Sequence, residues 1–357
     1  MSGERITLQL YMGEIVSLIC EGIMSSSWAS KRKSALAISK LSQVLGSSLS
    51  LYHDALLKSL MKEIPGRLWE GKDALLYALA DLCTSCHEAI SSRDPSTPNA
   101  ILSMTTSACS KKVKKYREAA FCCLEQVIKA FKIPDFFNMV FPFLFETCNS
   151  NALILSAQVP MASDAIKAGL VAGPTITLLY AGGDEEEHNS VPHAKIVDCI
   201  TSCISVGNVR DILEHKKNLV NVILVFLSPG IPWIVKMQAF LLIKELCSRL
   251  HNIANDSQEI SLHAAVTSFV HELFHSASPK IVECMYAIKI AQVHIAASEC
   301  LLEMTELYRA LPPIPWNEVG FKSELLNQYN GEKNEQAKSF LKKSIDILES
   351  LQQKGEI

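Results

Sequence analysis

The chain has 357 residues, enough to build about two domains with a sizeable core. Its 34 basic and 37 acidic residues leave a net charge of −3, which argues against a protein that holds nucleic acid through general phosphate contacts. With 48% apolar, 20% charged and 7% aromatic residues, the composition excludes a disordered tail and favours packed helices over a β-sandwich or barrel.

Taken in chain order, the start MSGERITLQLYMGEIVSLIC interrupts its apolar positions with Glu4, Arg5 and Glu14, and so reads as an amphipathic helix and not an export signal. The 3.6-residue periodicity then predicts helices over 28–45, 49–63, 72–90, 99–110, 112–131 and 135–148. An insertion follows over 149–191, with Pro160, Gly173, Pro174 and the acidic stretch GGDEEEHNS. Helical periodicity resumes over 192–206, 211–227, 232–250, 261–276, 280–311 and 332–353. No stretch approaches the roughly 20 apolar residues of a spanning helix, so no membrane insertion is expected. The twelve cysteines have no export signal beside them, which places them as reduced thiols in a cytoplasmic and nuclear protein.

Self-similarity sets the architecture. The segments SALAISKL, DALLYALA, EAAFCCLE, HAKIVDCI and QAFLLIKEL align on Ala35, Ala74, Ala119, Ala194 and Ala239, spaced by 39, 45, 75 and 45 residues. Three of these spacings sit in or near the roughly 40 to 47 residues of a HEAT or armadillo unit, and the fourth is one unit plus the insertion. The expected fold is all-α: a HEAT/armadillo-like α-solenoid of about eight helix-pair units. Residues 1–148 form helical repeats, 149–191 the insertion, and 192–357 further repeats with a C-terminal cap striped by Phe340, Ile345, Ile347, Leu348 and Leu351. The N-terminus has no comparably polar cap, which suggests the end of a longer solenoid.

Three stretches carry enzyme-like spacing. GRLWEGK, Gly66 to Lys72, fits most of a phosphate loop, but Asp73 stands where a magnesium-binding hydroxyl belongs and the preceding segment is helical. CTSCH, Cys83 to His87, matches a haem-attachment pattern, yet Leu75, Leu79, Leu82, Cys86 and Ile90 form one apolar row that makes Cys86 a core residue. HELFH is a full H-E-x-x-H, with His271 and His275 as metal ligands, Glu272 as base and Glu299 as a conceivable third ligand. A zinc-dependent hydrolase on His271, Glu272 and His275 is therefore the rival from a different class. The core face Leu262, Val266, Phe269, Val270 and Leu273 leaves both histidines toward the edge or solvent, and no strand is in sight to hold a peptide. The preferred reading has no catalytic residue, no metal and no cofactor.

Two basic clusters, Lys31 to Lys33 and Lys111 to Arg117, are expected to open the first helices of pairs, where cations oppose the helix dipole. Such charges suit an acidic protein partner. The segments PGRLWEGKDALLYAL, Pro65 to Leu79, and KYREAAFCCLEQVI, Lys115 to Ile128, resemble the C-terminal part of the large HEAT-repeat proteasome adaptor and scaffold family, whose G-R-x-W-x-G-K turn GRLWEGK matches. The resemblance implies a non-enzymatic scaffold that contacts the regulatory and core particles of the proteasome, monitors or holds assembled complexes and links them to other proteins. Family members are several times longer, so the resemblance also implies a fragment, isoform or truncated form. Arg67, Trp69, Lys72, Lys111, Lys112, Lys114, Lys115 and Arg117 are the candidate partner-binding residues, since equivalent positions of consecutive solenoid units line one edge. A cargo adaptor of the import-receptor kind, unrelated to the proteasome, is the other alternative.

Overall fold

The computed structural model describes residues 10–149, 193–254, 260–311 and 319–355, and every regular element among them is helical. In chain order these are α1 Met12–Met24, α2 Trp28–Leu45, a 3-10 turn Gly46–Leu51, α3 His53–Glu63, α4 Asp73–Arg93, α5 Thr97–Ala108 and α6 Lys114–Phe131. Helix α7 covers 136–149. Then come α8 His193–Val206, α9 Val209–Glu214, α10 Lys216–Leu227, α11 Trp233–Ala254, α12 Ile260–Ala287, α13 Ala291–Arg309, α14 Val319–Gly331 and α15 Glu335–Gly355. The predicted insertion with its acidic loop lies outside the described residues, apart from its first residue.

The described residues fall into two compact units, 10–136 with 193–195 in the first, and 137–149 with 196–355 in the second. In the first, α1 packs on α2 and α3, α2 on α4, α3 on α4, and α4 on both α5 and α6, while α5 packs on α6. In the second, α10, α11 and α12 each contact the next helix and the next but one, α13 packs on α15, and α14 and α15 close the series. Contact with the neighbour and the next neighbour is what stacked helix pairs produce, and the fold is an all-α solenoid of HEAT type.

The reason is visible in the residues. A helix pair cannot bury both apolar faces by itself, so α4 is apolar nearly all round, with Leu75, Leu76, Leu79, Leu82 and Ile90 buried between neighbours. The aligned alanines Ala35, Ala74, Ala119 and Ala239 are buried where helices approach closely, and Ala297 and Ala337 occupy the corresponding place in later pairs. Ala194 is only partly covered, so it is the weak member of the alignment.

Three boundaries differ from expectation. The helix expected to end near Ser276 runs through Pro279 to Ala287, because Phe269, Leu273, Ala277, Ile281 and Met285 bury one continuous stripe. That burial outweighs the roughly 3 kcal/mol a mid-helix proline costs. Segment 211–227 breaks at His215, whose ring packs on Phe137 and Phe141 at centroid distances of 5.8 and 5.2 Å. Helix α14 escaped prediction because its buried apolar set is short, with Phe321 and Leu325.

A second recurrence is polar. The Lys72 ammonium at the start of α4 donates to Gly66 O at 2.7 Å and Arg67 O at 3.0 Å, with the side chain only 1% exposed. At the start of α11, Lys236 donates to Leu227 O at 2.8 Å and Ser228 O at 2.7 Å. Arg117 donates to Lys111 O at 3.3 Å, and His294 sets one ring nitrogen 2.7 Å from Ile288 O. In each case a basic side chain at the head of a helix reaches back to the carbonyls of the turn before it, so α4, α6 and α11, expected to come first in their pairs, close a pair as its second member. Gly71 and Gly230, at φ of +92° and +86°, give two of these turns the left-handed residue that a side chain would strain. Lys72→Ala should cost about 1–3 kcal/mol, the penalty for stranding buried polar groups, whereas exposed Lys112→Ala should stay within about 0.5 kcal/mol. Urea denaturation of the two variants checks this; equal losses would mean that the strap carries no stability.

Candidate protein-binding edge

Turn 64–72 is held between the first turns of α2 and α6 by ion pairs, hydrogen bonds and ring contacts. Lys31 of α2 pairs with Glu63 at 2.7 Å, and both side chains are largely covered. Tyr116 of α6 donates to Ile64 O at 3.4 Å, and Lys115 lies 3.3 Å from Asp73 Oδ2. Trp69 Nε1 donates to Glu63 Oε1 at 3.4 Å, and its ring stacks on Trp28 with centroids 6.5 Å apart and planes 12° from parallel. Trp28 nevertheless remains 54% exposed. Arg32 lies across the turn, because a Cβ on Gly71 would meet Arg32 Cδ at 3.1 Å.

Cations dominate this edge. Arg32, Lys33, Arg67, Lys111, Lys112 and Lys115 are exposed, while Lys114 and Trp69 are half-buried. Burial holds the Lys72 pKa below the usual lysine value; Glu63 opposes the shift, and the charges of Lys31 and Lys111 add to it. The repulsion felt at Lys72 from both sides shows that the two basic clusters of the sequence meet around one turn. Two of the expected partner-binding residues do not belong to that surface. Lys72 and Arg117 point inward to carbonyl oxygens, because the turn carbonyls beside these buried side chains take the donors that the surface would otherwise have as charge. The first cluster and Trp28 were not among the expected site residues. No repeat register pointed to Trp28, since it stands seven residues before Ala35 while Trp69 stands five before Ala74.

Helix α6 has no side-chain cap and no acidic residue in its first turn, and α4 likewise lacks a side-chain cap. Amide groups and cations therefore point the same way at this edge, an arrangement that repels cations and favours anionic groups.

Over 142 residues the chain is 30% identical to the human proteasome adapter and scaffold protein ECM29. Over that stretch it is similar to a proteasome scaffold. The match takes in 38% of this chain and 8% of the length of the human protein. No family model matches. Among solved structures, an engineered protein aligns at a TM-score of 0.38 and 11% identity, covering 95% of this chain and 97% of its own. Importin beta, crystallised in ammonium sulfate, aligns at a TM-score of 0.37 and 12% identity, covering 95% of this chain and 46% of its own. Likeness at that level adds nothing to what the helix pairing shows.

The enzyme-like stretches, beside this similarity to the scaffold ECM29, turn out to serve packing. Cys83 and Cys86 are buried in α4; burial pushes the Cys86 thiol up to about 11 and the Cys83 thiol well above its usual value. His271, expected near the edge, is buried instead, with its ring 4.6 Å from that of Tyr308, since α13 covers this face of α12. Glu299 pairs with Lys244 at 2.8 Å and is no third ligand. Among the described residues no group of three or more His, Cys, Asp or Glu side chains is placed to hold a metal.

Neither ring nitrogen of His271 has a hydrogen-bond partner, and burial, then the charge of His275, lower its pKa from 6.5. The folded state therefore binds fewer protons at this site than the unfolded chain, so the stability contributed by neutral His271 is present above about pH 6.5 and is lost as pH falls through the lowered value. His271→Phe should lose less stability between pH 7 and 5 than wild type, measured by urea midpoints at each pH. Parallel pH profiles would contradict this.

Proposed function

We propose that this chain is a non-enzymatic scaffold or adaptor that binds the proteasome and helps hold or monitor assembled complexes in the cytoplasm and nucleus. The observation that carries the reading is the 142-residue match, at 30% identity, to a protein named for proteasome adapter and scaffold activity. The physical form suits the role. Stacked helix pairs expose long edges on which separate partners can sit, and no metal, cofactor or catalytic residue enters. Contact with both the regulatory and core particles, and links to further proteins, belong to the same proposal. Membrane insertion does not, since among the described residues no helix is long and apolar enough to cross a bilayer. Nucleic acid is no partner in this reading.

The test is recovery of assembled proteasomes on the immobilised chain. Wild type should retain subunits of both particles at low salt. A variant with Lys111, Lys112, Lys114 and Lys115 changed to Glu, and with an unaltered circular dichroism spectrum, should retain at least several-fold less. No recovery by wild type would overturn proteasome binding, and full recovery by the variant would move the contact off this edge.

A further inference from the structure

We infer that the edge formed by Trp28, Arg32, Lys33, Arg67, Trp69 and Lys111 is a docking site for an acidic, extended protein segment that seats one apolar side chain against the tryptophan pair. Three observations point there. First, the charge is lopsided: Glu63 and Asp73 are already engaged by Lys31 and Lys115, and exposed Glu70 is outnumbered by Arg32, Lys33, Arg67 and Lys111, which stay exposed with no ion pair among the described residues. A cluster of unneutralised cations at the heads of helices is unfavourable in the free protein, and an anionic partner relieves it.

Second, an exposed aromatic ledge sits among those cations. Trp28 is held by its stack on Trp69, and Trp69 is held by Glu63, so the ledge is ordered before any partner arrives. A preordered aromatic group with more than half its surface open is the kind of anchor that binds an apolar side chain at low entropic cost. Third, the cations come from three successive places in the stack, α2, the turn before α4 and the turn before α6, so they flank the central turn from both sides. Charges on both sides of one aromatic anchor fit an extended segment better than a compact anion.

This inference gives the scaffold reading its partner chemistry and rests on that reading for its biological setting alone. The test uses peptides without proteasomes, so the two can fail separately. Fluorescence anisotropy would compare three labelled twelve-residue peptides: Asp/Glu-rich with a central Phe, the same with Ala, and a Lys-rich counterpart. The acidic Phe peptide should bind tightest, weaken at least tenfold from about 50 to 300 mM salt, and lose at least tenfold affinity for Arg32→Glu/Lys33→Glu/Arg67→Glu. Trp28→Ala should abolish the preference for Phe over Ala while keeping the salt dependence. These positions are exposed, and circular dichroism verifies that each variant is folded. Equal binding of the Lys-rich peptide, no effect of charge reversal, or tighter binding of single-stranded RNA than of the acidic peptide would overturn the inference.

Discussion

When two helices fold back on one another, the carbonyls of the connecting turn lose their helical partners, and a basic side chain buried beside them needs acceptors that only those carbonyls supply. In this chain a basic side chain from the second helix reaches back to supply the donor: Lys72 in the first unit, Lys236 and His294 in the second, with Arg117 as a longer version. The contact fixes where the second helix begins relative to the turn. Everything else follows from that anchoring, since the apolar faces of α4, α6, α11 and α13 can pack in register only if their heads are held.

The same device explains the basic edge. A strap needs a cation just inside the turn, and the Lys72 pKa is lowered chiefly by burial, with the nearby charges of Lys31 and Lys111 adding to the shift against Glu63. Retaining Lys31 to Lys33 and Lys111 to Lys115 around it costs something in the free molecule. Glu63 offsets part of that cost by holding Lys31 and Trp69 together, leaving the remaining positive charge directed outward. Stability and recognition thus use neighbouring residues with opposite requirements: one buried and satisfied, the others exposed and unsatisfied.

The helical class and the pairing were legible because burial in stacked pairs imposes a strong 3.6-residue pattern, and Trp28–Leu45 was bounded correctly by its serine cap and following glycine. Pro279 misled because local propensity yielded to a continuous buried stripe. Lys72 and Arg117 misled for a different reason: a lysine or arginine in a turn is usually solvated, and nothing in one repeat says otherwise. Comparison between repeats does, since Lys72 and Arg117 stand two residues before a buried alanine, and Lys236 and His294 stand three before one. The contact between Trp28 and Trp69 links residues 41 apart, and no single-sequence pattern announces it.

Hydrogen exchange in a Lys236→Met variant tests the strap most directly, because it probes a unit other than the one in which the edge was described. If the buried ammonium anchors the turn, amides over 228–236 should exchange at least tenfold faster than in wild type while the middle of α13 keeps its protection. Unchanged protection over 228–236, in a variant that has lost both carbonyl contacts, would contradict the account.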